Sequence, residues 1–170
     1  AIQLNPSLAN THSNLGNLLR DLGNLKEAEI SIRKAIQLNP NFAESHSNLG
    51  SVQSDLGNLK EAEISFLKAI ALNPHLVKAY YLLSKTKFSN ENKMWQDQIF
   101  CEDILINKSK TEKVDIYFAR ANILHKEGNY IESSKYLNLA NKLKLEINPS
   151  KPNIFIDKFK ALLIESNNCL

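Results

Sequence analysis

"NPSLANTHSNLGNLLRDLGNLKEAEISIRKAIQLNP" at residues 5–40 is followed by "NPNFAESHSNLGSVQSDLGNLKEAEISFLKAIALNP" at 39–74, so the same phrase is written twice. Pro6, Pro40 and Pro74 stand 34 residues apart, and a strict period of that length marks a stack of repeated supersecondary units. Each phrase predicts two helices. The first runs from about Leu8 to Leu22 and from about Phe42 to Leu56, and Gly23 and Gly57 follow where a left-handed residue most easily ends a helix. Asn24 and Asn58 then stand as caps, with Glu27 and Glu61 three residues on, as in a capping box. So short a turn makes the two helices antiparallel. The second helix stops at Asn39-Pro40 and Asn73-Pro74, because proline cannot continue it.

Counting Ala9 and Ala43 as position one, Leu15-Gly16 and Leu49-Gly50 fall at seven and eight, and Ala28 and Ala62 at twenty. Ile32 and Phe66 take position twenty-four, Ala35 and Ala69 twenty-seven, Pro40 and Pro74 thirty-two. This grid resembles the tetratricopeptide repeat, a helix–turn–helix unit. It departs from the family at His12 and His46, where Trp or another aromatic is favoured, and at Leu19 and Gln53, where Tyr is. The resemblance implies an all-α fold, a right-handed superhelix of about four units with a C-terminal helix. The expected division is the end of a truncated preceding repeat at 1–6, units at 7–40, 41–74, 75–107 and 108–148, and a helix or linker at 149–170. "AIQLNP" at 1–6 copies 35–40, which suggests a piece of a longer protein.

The third unit opens with "HLVKAYYLLSKTKF", placing Tyr80 at the aromatic position and Leu83 at seven, but Ser84 replaces Gly and no Gly-Asn turn follows. A diverged second helix is expected over about Glu91 to Asn107, with Trp95 as a core anchor and Cys101 as a small buried hydrophobe. After the polar spacer "KSKTEK" the grid returns. Tyr117 is at four, Ala121 at eight, Leu124 at eleven, Gly128-Asn129 at the turn, and Ser133, Leu137 and Ala140 at twenty, twenty-four and twenty-seven. Arg120 stands where a leucine is expected. Beyond Pro149, "NIFIDKFKALLIESNN" is amphipathic and suits a helix covering the end of the stack.

The bulk composition narrows the function. A net charge of +3 on 170 residues, with lysines interleaved among acids, lacks the dense basic stripe of a nucleic-acid binder. No run approaches the roughly 18 apolar residues of a membrane span, and two cysteines make no disulfide framework, so a cytoplasmic location is expected. His12 and His46 recur one repeat apart, about 10 Å across stacked helices, too far to share a metal at about 2 Å. Asn107-Lys108-Ser109 matches a glycosylation acceptor by its letters alone. No serine elbow or phosphate-cradling glycine loop occurs. The chain is therefore read as no enzyme, with no cofactor and no metal.

One face of the first helix is read as core, with Leu15, Leu18, Leu19 and Leu22 on it. The other carries Asn10, Ser13, Asn14, Asn17, Arg20 and Asp21 in the first unit, and Glu44, Ser47, Asn48, Ser51, Ser54 and Asp55 in the second. In the tetratricopeptide family this face lines the concave groove. Asn14 and Asn48 recur at position six, similar to the asparagine ladder of the O-linked N-acetylglucosamine transferases. An amide donates and accepts at once, so such a row can hold a peptide backbone. The candidate site is Asn10, Asn14, Asn17, Glu44, Asn48, Ser51 and Asp55, and the partner a protein or peptide. A clamp for a terminal carboxylate, as in chaperone-binding relatives, would have only Arg20, Lys78 and Lys85 to build on.

A second resemblance lies in "YFARANILHKEGNYIESSKYLNLANKLK", which looks like the repeat preceding the catalytic domain of bacterial repeat–sulfotransferase proteins. The letters concerned are Tyr117-Phe118-Ala119, Gly128-Asn129-Tyr130 and Ala140-Asn141-Lys142-Leu143-Lys144. They imply a substrate-positioning arm of a larger enzyme. Self-association through Ala1–Leu4 is a third possibility, and the oligomeric state is left open.

Overall fold

In the computed structural model, residues 6–86 and 94–149 are described. The expected helix over 149–170 and the segment Ala1–Leu4 lie outside them. Among the described residues there are eight α-helices and no strand. In order they are α1 (Pro6–Asp21), α2 (Leu25–Leu38), α3 (Ala43–Asp55), α4 (Leu59–Leu72), α5 (Val77–Lys85), α6 (Met94–Phe100), α7 (Lys110–Lys126) and α8 (Tyr130–Ile147). They pair as α1 with α2, α3 with α4 and α7 with α8. Each second helix packs on the next first helix, and the first helices neighbour one another in turn.

One turn is built three times. Gly23, Gly57 and Gly128 have φ of 81°, 83° and 79°, which only glycine adopts without strain. The amide after each glycine reaches back five residues: Asn24 to Leu19 O at 2.8 Å, Asn58 to Gln53 O at 2.8 Å, Asn129 to Leu124 O at 2.8 Å. The glycine amides bond to the carbonyls of Arg20, Ser54 and His125, completing the Schellman pattern and satisfying carbonyls that a helix end would strand. The expected asparagine caps are only partly present. Asn24 and Asn58 make no side-chain cap bond. Asn129 does accept from Glu132 N, at a long 3.3 Å.

The second helices end in another repeated device. Asn39 Oδ1 accepts from Asn41 N at 3.2 Å, and Asn73 Oδ1 from His75 N at 3.0 Å, so the asparagine side chain braces the turn across each proline. Inside each hairpin, position eight is the point of closest approach. A Cβ on Gly16 would stand 2.3 Å from Ile32 Cγ1, and one on Gly50 2.8 Å from the Phe66 ring. Ile32 and Phe66 are wholly enclosed there, each contributing roughly 1.5–3 kcal/mol of apolar burial.

Of the four leucines expected in the core on α1, Leu19 is half-buried against Ile32 and its neighbours, and the other three are exposed. Leu15, Leu18 and Leu22 are 45%, 57% and 67% exposed, whereas Leu49 and Val52, at positions seven and ten of the second unit, are 5% and 0% exposed. The letters are equivalent but the neighbours are not. Helix α2 covers Leu49 and Val52, and α1 has its partners in α2 and α3 on its other sides. Leu137 of α8, 37% exposed, differs from Ile32 and Phe66 for the same reason.

Unit three departs most from expectation. The helix expected over Glu91–Asn107 breaks: α6 stops at Phe100, Cys101 is extended at ψ 134°, and one 3-10 turn covers Glu102–Leu105. Trp95 is buried as expected, but Cys101 is exposed because it sits in that break. Arg120 of α7, 1% exposed, accounts for the break. Its guanidinium donates to Ile99 O at 2.9 Å and Cys101 O at 3.1 Å, reaches the Glu102 carboxylate at 3.1 Å, and lies against the Phe100 and Tyr136 rings. A continuous helix would tie up those carbonyls and leave a buried cation without acceptors. Lys126 does the same for α5, whose glycine turn is missing, donating to Ser84 O at 2.8 Å and to Thr86 O. Burial there lowers its pKa from the usual lysine range.

The spacer "KSKTEK" is in part a helix start. Ser109 Oγ accepts from Glu112 N at 3.2 Å while Glu112 accepts from Ser109 N at 2.9 Å, a reciprocal capping box. Those bonds, with Lys108 nearby, hold the Glu112 carboxyl below the usual glutamate range. Tyr80 fills the aromatic place in unit three, donating to Gln98 Oε1 at 3.0 Å. Its enclosure pushes the phenol up to about 12.

Candidate functional site

Helix periodicity places positions two, six and nine of each first helix along one stripe. On α1, Asn10 and Asn14 are exposed and Asn17 half-buried. On α3, Glu44 in the first turn is exposed, and Asn48 is half-buried because its amide donates to Ser13 Oγ at 3.0 Å across the α1–α3 contact. That bond joins neighbouring units and leaves the Asn48 carbonyl oxygen and one N–H for a ligand. Asp55 is exposed and paired with Arg20, Nε to Oδ2 2.6 Å. Both partners are about a third or more open to solvent, so the pair contributes at most about 1 kcal/mol. It ties α1 to α3 through the Nε of Arg20.

Three serines of the expected stripe are buried. Ser13, Ser47 and Ser51 are 2%, 4% and 6% exposed, and Ser51 Oγ donates to Ser47 O at 3.1 Å within its own helix. Small side chains at these positions allow the first helices to approach closely, so the serines form the joint beneath the surface. Ser51 is thus a wall residue with an occupied hydroxyl rather than a free donor. His46 hydrogen-bonds the Pro40 carbonyl at 2.9 Å, bracing the turn into α3.

Two large hollows open on the stack. One, about 540 Å³, is lined by His12, Leu15, Leu19, Ile30 and the stems of Arg33 and Lys34. Although it is the larger, its lining includes the leucine whose counterpart in unit two, Leu49, is covered by α2. It is the stacking face of the first hairpin. The other, about 420 Å³, lies where α1, α3 and α5 meet and is walled by Arg20, Ser51, Ser54, Asp55, Lys85 and Thr86. Its apolar lining is Leu59 of α4 and Leu82 of α5, with the enclosed Phe66 beneath. This hollow brings Ser51 and Asp55 together with residues of unit three. Asn10, Asn14, Asn17, Glu44 and Asn48 do not line it.

The first helices of units three and four carry a different surface. Lys78, Tyr81, Leu82 and Lys85 are spaced i, i+3, i+4 and i+7, one stripe of α5. The Lys78 and Lys85 ammonium groups stand 5.2 and 5.5 Å from the Tyr81 ring centroid, and Phe118 of α7 leans on that ring at 6.2 Å. Reading positions five of these units as aromatic would have found Tyr81 and Phe118. On α7, burial raises the Asp115 pKa, with Lys78 pulling the other way.

Among the described residues no helix is long and apolar enough to cross a membrane. Comparison with curated proteins gives no match. Several solved structures are similar, three of them as follows. The first tetratricopeptide domain of Spaghetti (RPAP3), bound to the HSP90 peptide SRMEEVD, is 21% identical over 86% of this chain and 98% of that chain, with a TM-score of 0.49. A crystal structure of MamA is 21% identical over 86% and 84%, with a TM-score of 0.55. The MamA RS-1 ArsTM double mutant is 16% identical over 84% and 78%, with a TM-score of 0.52. At these identities the likeness to the MamA structures is one of fold. Models described as tetratricopeptide repeat match residues 9–42, and 43–76 with 114–147, more than half the chain. Between the matches they omit residues 77–113, the unit without a glycine turn, and the chain belongs to the tetratricopeptide repeat family.

Proposed function

We propose that the chain is a non-catalytic scaffold that holds an extended peptide or protein segment along Asn10, Asn14, Asn17, Glu44, Asn48, Ser51 and Asp55. The observation that carries this reading is the pair Asn14 and Asn48. Both occupy position six of neighbouring first helices, and the Asn48 amide is fixed in place by Ser13. Fixed amides bind a backbone with less ordering cost than free ones. Binding of micromolar strength or weaker is expected, about −8 kcal/mol or less favourable.

Peptides selected from a random library supply the probe. Asn14→Ala with Asn48→Ala is expected to weaken a selected peptide at least tenfold by fluorescence anisotropy, with circular dichroism unchanged. An unaltered Kd would place binding elsewhere. The alternative of a sulfotransferase arm has only its letters in favour, and folding already employs four of them. Ala119 and Ala140 are enclosed, Gly128 makes the left-handed turn, and Asn129 caps α8.

A further inference from the structure

Helix α1 has a second exposed surface, on a different side from Asn10 and Asn17. Leu8, Leu15 and Leu22 stand seven residues apart with Leu18 between the last two, the a and d places of one seam, and all four are exposed. Thr11 holds the remaining place. Its hydroxyl already donates to Ser7 O at 3.0 Å, so covering it strands no donor. No carboxylate, ammonium or guanidinium side chain occurs from Pro6 to Leu19. The 540 Å³ hollow opens beside the seam at Leu15, and its lining includes Glu27 and Lys34, neither in an ion pair among the described residues.

A face of this kind is covered either by a different, matching face or by itself. Within the stack the matching face belongs to a second helix: Leu25 and Ile36 of α2 pack on the cluster that encloses Leu49 and Val52. Ile70, the equivalent of Ile36 in α4, is likewise enclosed with Val77 and Tyr80 of α5. The last second helix, α8, has an exposed Asn141 at that place, so among the described residues the far end of the stack lacks the apolar match. We propose that α1 covers its seam with the α1 of a second copy, in a twofold contact with Leu15 near the axis and Leu22 of each copy toward Leu8 of the other. Such a contact needs only one surface, used twice. The uncharged seam brings no like charges together, while Glu27 and Lys34 offer both signs at its margin. A seam of about 21 Å is short, so a dimer that dissociates in the micromolar range is expected rather than an obligate one. The contact leaves Asn10 and Asn17 open and does not depend on the peptide-binding reading.

Sedimentation velocity of the whole chain, from low to several hundred micromolar, is the test. The mass is expected to rise from 19.2 kDa toward twice that value and no further. Leu18→Glu with Leu22→Glu, at side chains already largely in water, is expected to weaken the dimer at least tenfold with circular dichroism unchanged. Leu139→Glu on α8 is expected to leave it as it was. In a chain carrying Cys101→Ser and Cys169→Ser, Leu15→Cys is expected to give a disulfide-linked dimer on oxidation with diamide, and Ile64→Cys, exposed on α4, is not. A monomer at every concentration, or a dimer indifferent to the two glutamates, overturns the inference. Species that keep growing past two copies overturn it as well, in favour of a head-to-tail contact. So does a chain that stays monomeric while binding a peptide of residues 24–40, because the seam would then be the seat of a helix like α2.

Discussion

Arg120→Ala is expected to destabilise the chain by about 2–5 kcal/mol, the range for truncating a large enclosed side chain whose buried acceptor is then left unpaired. The guanidinium is enclosed and donates to the carbonyls of Ile99 and Cys101, so its loss strands the buried Ile99 acceptor, frees the part-buried Cys101 one and leaves a cavity against Phe100 and Tyr136. Arg120→Leu supplies the residue the repeat pattern favours, yet it restores neither hydrogen bond and should retain most of the loss. Lysine is no substitute, because one ammonium cannot reproduce the planar fork. Glu102→Gln makes the contrast: that carboxylate is 78% exposed, so its removal should cost under about 1 kcal/mol. Urea unfolding, with amide exchange of α6 and α7 to locate the loss, reads all of these. An Arg120→Leu chain as stable as the parent would show that the carbonyls find other donors.

The second large effect is a difference between two equal letters. Leu49→Ala is expected to cost about 2–5 kcal/mol, as for enclosed leucines, and Leu15→Ala under about 1 kcal/mol, as for a side chain already half in water. Both stand at position seven, but Leu49 lies under α2 while Leu15 is 45% exposed. Comparable losses at the two sites in urea titrations would mean that something else covers the first hairpin. Stability in such an array is a sum of unit and interface terms, and this pair isolates one interface.

These two predictions show what the letters could and could not reveal. The hairpins, their antiparallel sense and their glycine turns were legible, because each depends on residues within about five positions of one another, such as Leu19, Gly23 and Asn24. Burial was not, because in a stack it is decided by the neighbouring unit; hence the misread leucines of α1 and the serines of the groove stripe. Arg120 looked like a local fault because its acceptors lie 18–21 residues away. The break after Phe100 and the exposure of Cys101 follow from the same contact. The capping box at Ser109-Lys-Thr-Glu112 was present in the letters and passed for a spacer. Of the candidate site, Asn14 and Asn48 are at equivalent places as expected, Asp55 is paired and Ser51 is walled in. The aromatic pair Tyr81 and Phe118 shows up only when units three and four are put on the same grid.

The proposed binding role depends on the surface made by the first helices. Amide and side-chain chemical shifts, followed while a selected peptide is titrated in, test it most directly. Shifts concentrated at Asn14, Asn48, Ser51 and Lys85, on α1, α3 and α5, are the expected result. Shifts confined to the outer sides of α2 and α4, around Ile30, Lys60 and Ile64, would contradict it.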